Sequence, residues 1–596
     1  MSDSFRSDAS KPDPSKPDTI VSFPQKTEAV KTMPAFFDIF LFVALGLGVC
    51  LRLVWVGARE FWYDEVLSVL LSSGQTNDYR LPDNVPFSAG DFQGLLAFPP
   101  TQGISGAVEG VKSLIKGTLG DPHPPLFYLS EHGWMSLFGN GEGTLRSLVV
   151  LFSLAALVLA YALGRRVLGS RGGLIFAALL SLNPFFLAHS LNLRMYVGIV
   201  FWALASGLAL MAVLPLPANF SPPGVSPSAT ENDPVWWKTW LIRGIVIVSI
   251  TAGLLTQYLF AYWLFALAAL ALYLDRKHWF RNGLTLGVGV LLFMPWAAWG
   301  VRQQINNRGD VLNQISSVGG VGQSALAHGK DLAQTLANHL LLGHWTTGMA
   351  PLGELIKPTA VAVGCGVIGF VVMCVVTLYR RRQYKVLVVS AILGLVPLGV
   401  ALAIDVVTGK YVLGFGWGRS TIVALPGCVL LIAAWLEFGV GRWRKVLTAT
   451  ILAVYLVVNI GDYGLRDRQI FHQVRAFIPA TDSPTLVAMD SRAWGHVLRL
   501  VYYMDNPSVD ILATNPEEFV AALENALTTK DYSTVVWLHA DYPLWSAPET
   551  VEEAAALKEQ TEQFLQSQLE TISPAQTLTG TMHLDQFELQ PYQKTT

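Results

Sequence analysis

Eleven apolar runs, each of the roughly 17 to 25 residues needed to cross about 30 Å of hydrocarbon, divide this chain of 596 residues. They lie near 35–57, 144–164, 172–190, 195–214, 240–255, 257–274, 283–300, 358–379, 385–404, 419–438 and 445–461. A chain so divided is an α-helical multi-pass membrane protein. Its 52% hydrophobic and 14% charged residues, with 18 Trp, fit that class and not a soluble one. The basic clusters are Arg165/Arg166/Arg171, Lys238/Arg243, Arg276/Lys277/Arg281, Arg380/Arg381/Arg382/Lys385 and Arg442/Arg444/Lys445. They fall in alternate loops on one side, which by the positive-inside rule is cytoplasmic. The N-terminus is therefore expected in the cytoplasm and the C-terminus outside.

The first 33 residues are rich in Ser, Pro, Asp and Lys and read as a disordered cytoplasmic tail, with no cleavable signal peptide. The net charge of −2 gives no reason to expect nucleic acid. The four cysteines, Cys50, Cys365, Cys374 and Cys428, all lie in apolar segments, so neither a disulfide framework nor a thiolate metal site is expected.

Residues 34–461 form the membrane module, with outer loops at 58–143 and 301–357. Two stretches in these loops read as amphipathic helices. ISGAVEGVKSLIKGTL places Ile104, Val108, Val111, Ile115 and Leu119 near one face. QSALAHGKDLAQTLANHLLLG does so with Leu326, Leu332, Leu336 and Leu340. From 462 to 596 the pattern changes. TLVAMD, VDILAT and STVVWLHA read as short buried strands, and NPEEFVAALENAL as a helix with Asn515 as N-cap, Pro516 at the first position and Glu518 in a capping box. Alternating strands and helices predict a small extracytoplasmic α/β domain. It has no nucleotide-binding glycine fingerprint and no nucleophile elbow, so it is read as accessory.

The residues that suggest chemistry gather at the outer face. FWYDEVLSVL follows the first apolar run, so Asp64 and Glu65 sit just outside the membrane. One reading makes Asp64 the N-cap of the helix that follows, although position 67 is Leu67 and no capping box is available. The other makes the acids a general base or metal ligand facing an outer cavity. GDPHPPLFYL brings His123, followed by two prolines, into the same loop. Arg52, Arg194 and Arg419 lie at outer ends of apolar runs, where an arginine costs several kcal/mol unless it snorkels or is paired. Lys410 lies in the short loop before Arg419. Cations at that depth suit an anionic lipid phosphate.

Tyr63-Asp64-Glu65 after the first span, His123-Pro124-Pro125 in the same loop, Arg194 just ahead of Tyr196 and Arg419 opening a late span together resemble the GT-C glycosyltransferases. The likeness is to the glycosyltransferase 39 or RgtA/B/C/D-like group, which includes protein O-mannosyltransferases and aminoarabinose transferases, and it covers roughly residues 35–461. It implies transfer of a sugar from a polyprenyl-phosphate carrier to an acceptor outside the membrane, by a single displacement that inverts the anomeric centre. Asp64 is then the base, and Glu65 orients the site or binds a metal. Arg419, with Arg194, Arg52 or Lys410, holds the carrier phosphate, and Tyr63, His123 and Tyr196 line the substrate site. Any divalent ion, such as Mg²⁺ or Mn²⁺, falls to Asp64 and Glu65, with no third ligand evident. The C-terminal region lacks the β-trefoil repeats of eukaryotic protein mannosyltransferases, which leaves lipid, glycan and protein acceptors open. The competing classes are a transporter or flippase for a lipid-linked substrate and a non-catalytic envelope assembly protein. The first predicts a repeat and mid-membrane helix breaks that the sequence does not display.

Overall fold

The computed structural model describes residues 36–99, 103–214, 236–307, 321–344, 353–464, 469–478, 483–504, 506, 509–544, 548, 550–580 and 585–594. The expected N-terminal tail and the middle of the second outer loop lie outside them.

Among the described residues, nine helices are long and apolar enough to cross a membrane, and Tyr258–Leu274 is a shorter apolar one. The eleven expected runs are matched once Tyr258–Leu274 is included and the runs 144–164 and 172–190 are taken as the two arms of one 41-residue element, Glu142–Leu182. A straight helix of that length would span about 60 Å, twice the hydrocarbon thickness. Gly169 prevents this: its φ of 84° and ψ of 174° break the helix and turn the chain back on itself. The two arms then meet with almost no side chain between them. A Cβ on Gly164 would lie 2.9 Å from the Gly173 Cα, and one on Gly173 would lie 2.6 Å from the Arg165 nitrogen.

The second arm ends at Asn183, whose side chain caps the short helix Pro184–Ser190 by accepting from the Phe186 N–H at 2.9 Å. Helix Tyr196–Val213 follows. The late span Phe415–Gly439 does not begin as a regular helix. Gly416, Trp417 and Gly418 have φ of 59°, 57° and 91°, so the chain winds tightly before it straightens near Leu425.

The two amphipathic helices take opposite orientations. Gly103–Thr118 buries Leu114, Gly117 and Thr118, while Ile104, Val108 and Val111 point outward. Helix Val321–Ala337 turns Leu336 inward, and Leu340 in the turn after it is also buried, whereas Leu326 is exposed.

The C-terminal region forms one seven-stranded sheet in the order β1-β3-β2-β4-β7-β5, with β6 paired to β7. The three expected strands are β2 (Thr485–Met489), β3 (Val509–Ala513) and β4 (Thr534–Ala540), which run parallel with β2 in the centre. Strands β5 (Leu569–Thr571), β6 (Gln576–Thr579) and β7 (Gln586–Lys594) add an antiparallel flank. Strand β1, Phe87–Ser88, comes from the first outer loop and pairs antiparallel with β3. The expected capping box at 515–518 does not form. Asn515 makes no side-chain cap, and Glu518 instead accepts a hydrogen bond from Asn84 of that loop at 2.8 Å.

Candidate active site

The acid pair lies in the first turn of helix Tyr63–Ser73, which begins two residues earlier than an Asp64 cap requires. Trp62 is the N-cap, with extended backbone (φ −88°, ψ 175°). Glu65, three positions on, accepts the Trp62 N–H at 3.0 Å. Asp64 therefore has no capping duty, and its carboxylate turns to another element. Its Oδ2 lies 3.0 Å from Nη1 of Arg419. Both side chains keep some exposure, 20% for Asp64 and 14% for Arg419. The Arg419 guanidinium also faces the rings of Trp62, Phe415 and Tyr196 at 5.4, 5.7 and 5.8 Å. Aromatic faces attract a cation without consuming its N–H donors, so Arg419 can still bond an anion.

Arg194 supports the same helix from beneath. It is buried, and its Nη1 donates to the Asp64 carbonyl at 3.2 Å, the Ser68 hydroxyl at 2.8 Å and the Tyr128 hydroxyl at 3.4 Å. Its Nη2 lies 3.5 Å from Nδ1 of His123. His123 is held 2.8 Å from Asp121, whose Oδ1 also accepts from the His123 N–H and the Tyr128 hydroxyl. Burial pushes the Asp121 carboxyl up, but His123 and Arg194 outweigh it and keep it below the ordinary carboxylate range. Asp64, His123, Arg194, Tyr196 and Arg419 thus form one connected group.

Four expected site residues sit otherwise. Glu65 is 1% exposed and fully engaged. Arg146 grips it bidentately, Nε to Oε1 at 2.8 Å and Nη2 to Oε2 at 2.7 Å, while the N–H groups of Leu193 and Trp62 take further lone pairs. No lone pair faces outward for a metal, so Glu65 is a buried fastener that fixes where Asp64 stands. Arg52 lies inside the bundle, donating to Ser153 Oγ, the Gly48 carbonyl and the Ser181 carbonyl at 2.8, 2.8 and 2.7 Å. It joins the first span to the 142–182 hairpin through Nε and Nη1, is wholly buried and does not line the cleft beside Arg419. Tyr63 points to the C-terminal domain, its ring edge-on to His496 at 5.3 Å. Lys410 is half-buried just past the Gly409 end of helix Tyr384–Thr408 and does not line the cleft beside Arg419. Among the described residues, no three His, Cys, Asp or Glu side chains are grouped to hold a metal ion.

That cleft, about 470 Å³ including its open mouth, contains residues the sequence reading passed over: Arg59, Glu60, His189 and His344, beside Trp62 and Arg419. His189 lies inside an apolar run, which is the same signal that marked the arginines. Arg146 was concealed the same way, at the start of the run 144–164. His344 lies in a loop and carries no comparable mark.

Residues 122–215 match the family model for dolichyl-phosphate-mannose-protein mannosyltransferase. No curated protein matches the chain. Among solved structures the fold is similar to ArnT from Cupriavidus metallidurans in the apo state, at 12% identity and a TM-score of 0.40, covering 92% of this chain and 97% of that one. It is also similar to the Archaeoglobus fulgidus oligosaccharyltransferase in complex with Zn and sulfate, at 13% identity and a TM-score of 0.42, covering 83% and 67% of the two chains.

Proposed function

We propose that this chain is a membrane glycosyltransferase that moves a sugar from a polyprenyl-phosphate carrier to a cell-envelope acceptor on the outer face of the membrane. The observation that carries the reading is the 3.0 Å contact between Asp64 and Arg419, both partly exposed, with Arg419 also lining the adjoining cleft. A carboxylate base and a cation for the leaving phosphate are the two groups this chemistry needs, and the two must flank one anomeric carbon. The family match over 122–215, which includes His123, Arg194 and Tyr196, supports the same class.

In the proposed step the carrier phosphate draws Arg419 away from Asp64 and frees the carboxylate. Asp64 takes the proton of the acceptor hydroxyl. The hydroxyl oxygen attacks the anomeric carbon as the bond to the phosphate oxygen breaks, and the configuration inverts. The negative charge that develops on phosphate falls beside Arg419, where a preorganised cation lowers the barrier. Arg194 holds Asp64 by its backbone carbonyl, and Glu65 locks the turn through Arg146. A divalent ion, if one takes part, has Asp64 as its one partly exposed carboxylate in this turn.

The test is consumption of radiolabelled polyprenyl-phosphate sugars by purified protein in liposomes, with a crude envelope extract as the acceptor source. Asp64→Asn is expected to lower turnover by about 10²- to 10⁴-fold, the usual share of a general base, with thermal unfolding unchanged. Equal turnover in the variant and the wild type removes Asp64 from the base role.

A further inference from the structure

The cleft beside Arg419 contains an imidazole pair that the base and the arginines do not account for. The Nε2 atoms of His189 and His344 lie 2.9 Å apart. Two ring nitrogens can approach so closely only if one carries a proton and the other accepts it. The contact joins positions 155 residues apart in sequence, and the fold makes it by three separate restraints. His344 stacks on Phe185, interplanar angle 6° at 5.3 Å, while His189 stands edge-on to Tyr196 at 4.8 Å. Gly343 has φ 60°, and a Cβ there would lie 2.8 Å from Pro184, so only glycine lets this turn close onto the 184–190 helix. Finally, His339, from the turn before Gly343, bonds the Gly418 carbonyl at 2.8 Å. Gly418 precedes Arg419, so the segment that carries His344 is latched to the one that carries the cation.

We infer that His344, paired with His189, is the acid that protonates the leaving phosphate. The inference rests on the glycosyltransferase reading. As the anomeric C–O bond breaks, its electron pair passes to the phosphate oxygen. An N–H bond of His344 breaks and an O–H bond forms on that oxygen. The imidazole pair goes from cation to neutral with one proton still shared between the Nε2 atoms, and the carrier leaves as a phosphate monoanion. The acceptor's own proton stays on Asp64 until solvent removes it. Burial, with His344 and Arg419 beside it, pushes the His189 ring well below the ordinary imidazole range, so the proton the pair gives up is carried by His344. The charged and titratable groups in the cleft or against the pair are Arg419, His339, Tyr196, Arg59, Glu60, Tyr463 and the paired Glu65 and Arg146.

The experiment compares wild type with His344→Gln over a pH series. In wild type kcat falls as pH rises through the imidazole range, because the acid loses its proton. In His344→Gln that fall is absent and kcat is about 10- to 100-fold lower, the low end for an acid acting on a good leaving group, with the donor KM unchanged. An unchanged kcat, or a variant profile parallel to wild type, overturns the inference. If no sugar donor in the panel is consumed, ³¹P NMR of undecaprenyl phosphate bound to the protein decides. A phosphate titration midpoint displaced by about one pH unit in His344→Gln supports coupling to the pair, and an unmoved midpoint overturns it. Failure of the wild type to bind the carrier sinks the lipid-phosphate reading itself and this inference with it, which separates the two failures.

Discussion

At the scale of single residues, the buried charges of this protein divide by whether protein atoms satisfy them. Glu65 and Arg146 complete each other and are structural. Asp64 and Arg419 pair with each other while both keep partial exposure, and Arg419 also lines the cleft. Glu131, on helix Leu126–Phe138, belongs to neither class. It is wholly buried, with the Ser72 hydroxyl as its nearest polar neighbour and no cation paired to it among the described residues. Burial pushes its carboxyl up to about 8, against smaller opposing effects of Ser72 and Arg194. In the unfolded chain the same group ionises near 4.3. Between those values the folded state holds a proton that the unfolded state has released, so stability falls as pH rises through that window and levels off above about 8. Glu131→Gln removes this dependence. Its melting temperature is expected to exceed that of wild type at pH 8 by several degrees, reflecting up to a few kcal/mol at about 1.4 kcal/mol per pKa unit, and to match it near pH 5. Thermal unfolding in detergent at the two pH values checks this; a wild-type melting temperature equal to that of the variant at both sinks it.

At the scale of elements, the apolar patterning made the spans legible, because hydropathy over a span-length window depends on composition and little on context. All eleven runs are helical. What patterning could not show is which helices touch. Arg52 and Arg419 look alike in sequence, each an arginine at an outer end, yet Arg52 faces helix backbones and Arg419 faces a cleft. The reversal near Gly169 was legible in the basic residues Arg165, Arg166 and Arg171 that separate the runs 144–164 and 172–190, although patterning alone did not single out Gly169 as the break. The two-residue strand β1 is too short for an alternation signal. Amphipathic patterning told only that a face exists, not where it turns. For Gly103–Thr118 the apolar face, with Ile104, Val108 and Val111, is on the outside of the protein, so lipid is its expected cover. A nitroxide on Val108→Cys, in a chain stripped of its four native cysteines and placed in nanodiscs, should collide with oxygen more than with a water-soluble nickel complex. The reverse ratio would put this helix in water.

At the scale of the whole molecule, the C-terminal domain is fastened to the short segment that carries Asp64. Glu60 accepts the N–H groups of Phe471 and His472 at 3.1 and 2.6 Å and pairs with the His472 ring at 2.6 Å. The Phe61 N–H donates to the Tyr503 hydroxyl at 2.8 Å, and that hydroxyl donates to Glu142 at the start of the 142–182 hairpin. Tyr63 packs against Gly495 so closely that a Cβ there would lie 2.5 Å from its ring. Residues 60, 61 and 63 are thus set by the domain, and Asp64 follows in the same turn. Reading the domain as merely accessory understates this, since its sheet also takes β1 from the same outer loop. Tyr503 is the narrowest of these links, because one hydroxyl joins the domain, the segment that carries Asp64 and the bundle. Tyr503→Phe leaves the buried Phe61 N–H and a Glu142 oxygen without that partner, a cost of about 1–3 kcal/mol. The apolar core that one face of the sheet shares with the spans, and the separate core on its other face, do not include this hydroxyl, so the variant should fold with a melting temperature lowered by a few degrees. Sugar transfer should fall further than that loss accounts for, by about tenfold or more at a temperature where both proteins are folded, since small misplacement of a catalytic group is costly. Circular dichroism, melting temperature and donor consumption on the same preparation separate the two effects. Full activity in a destabilised Tyr503→Phe would mean that the domain stabilises the molecule without positioning Asp64.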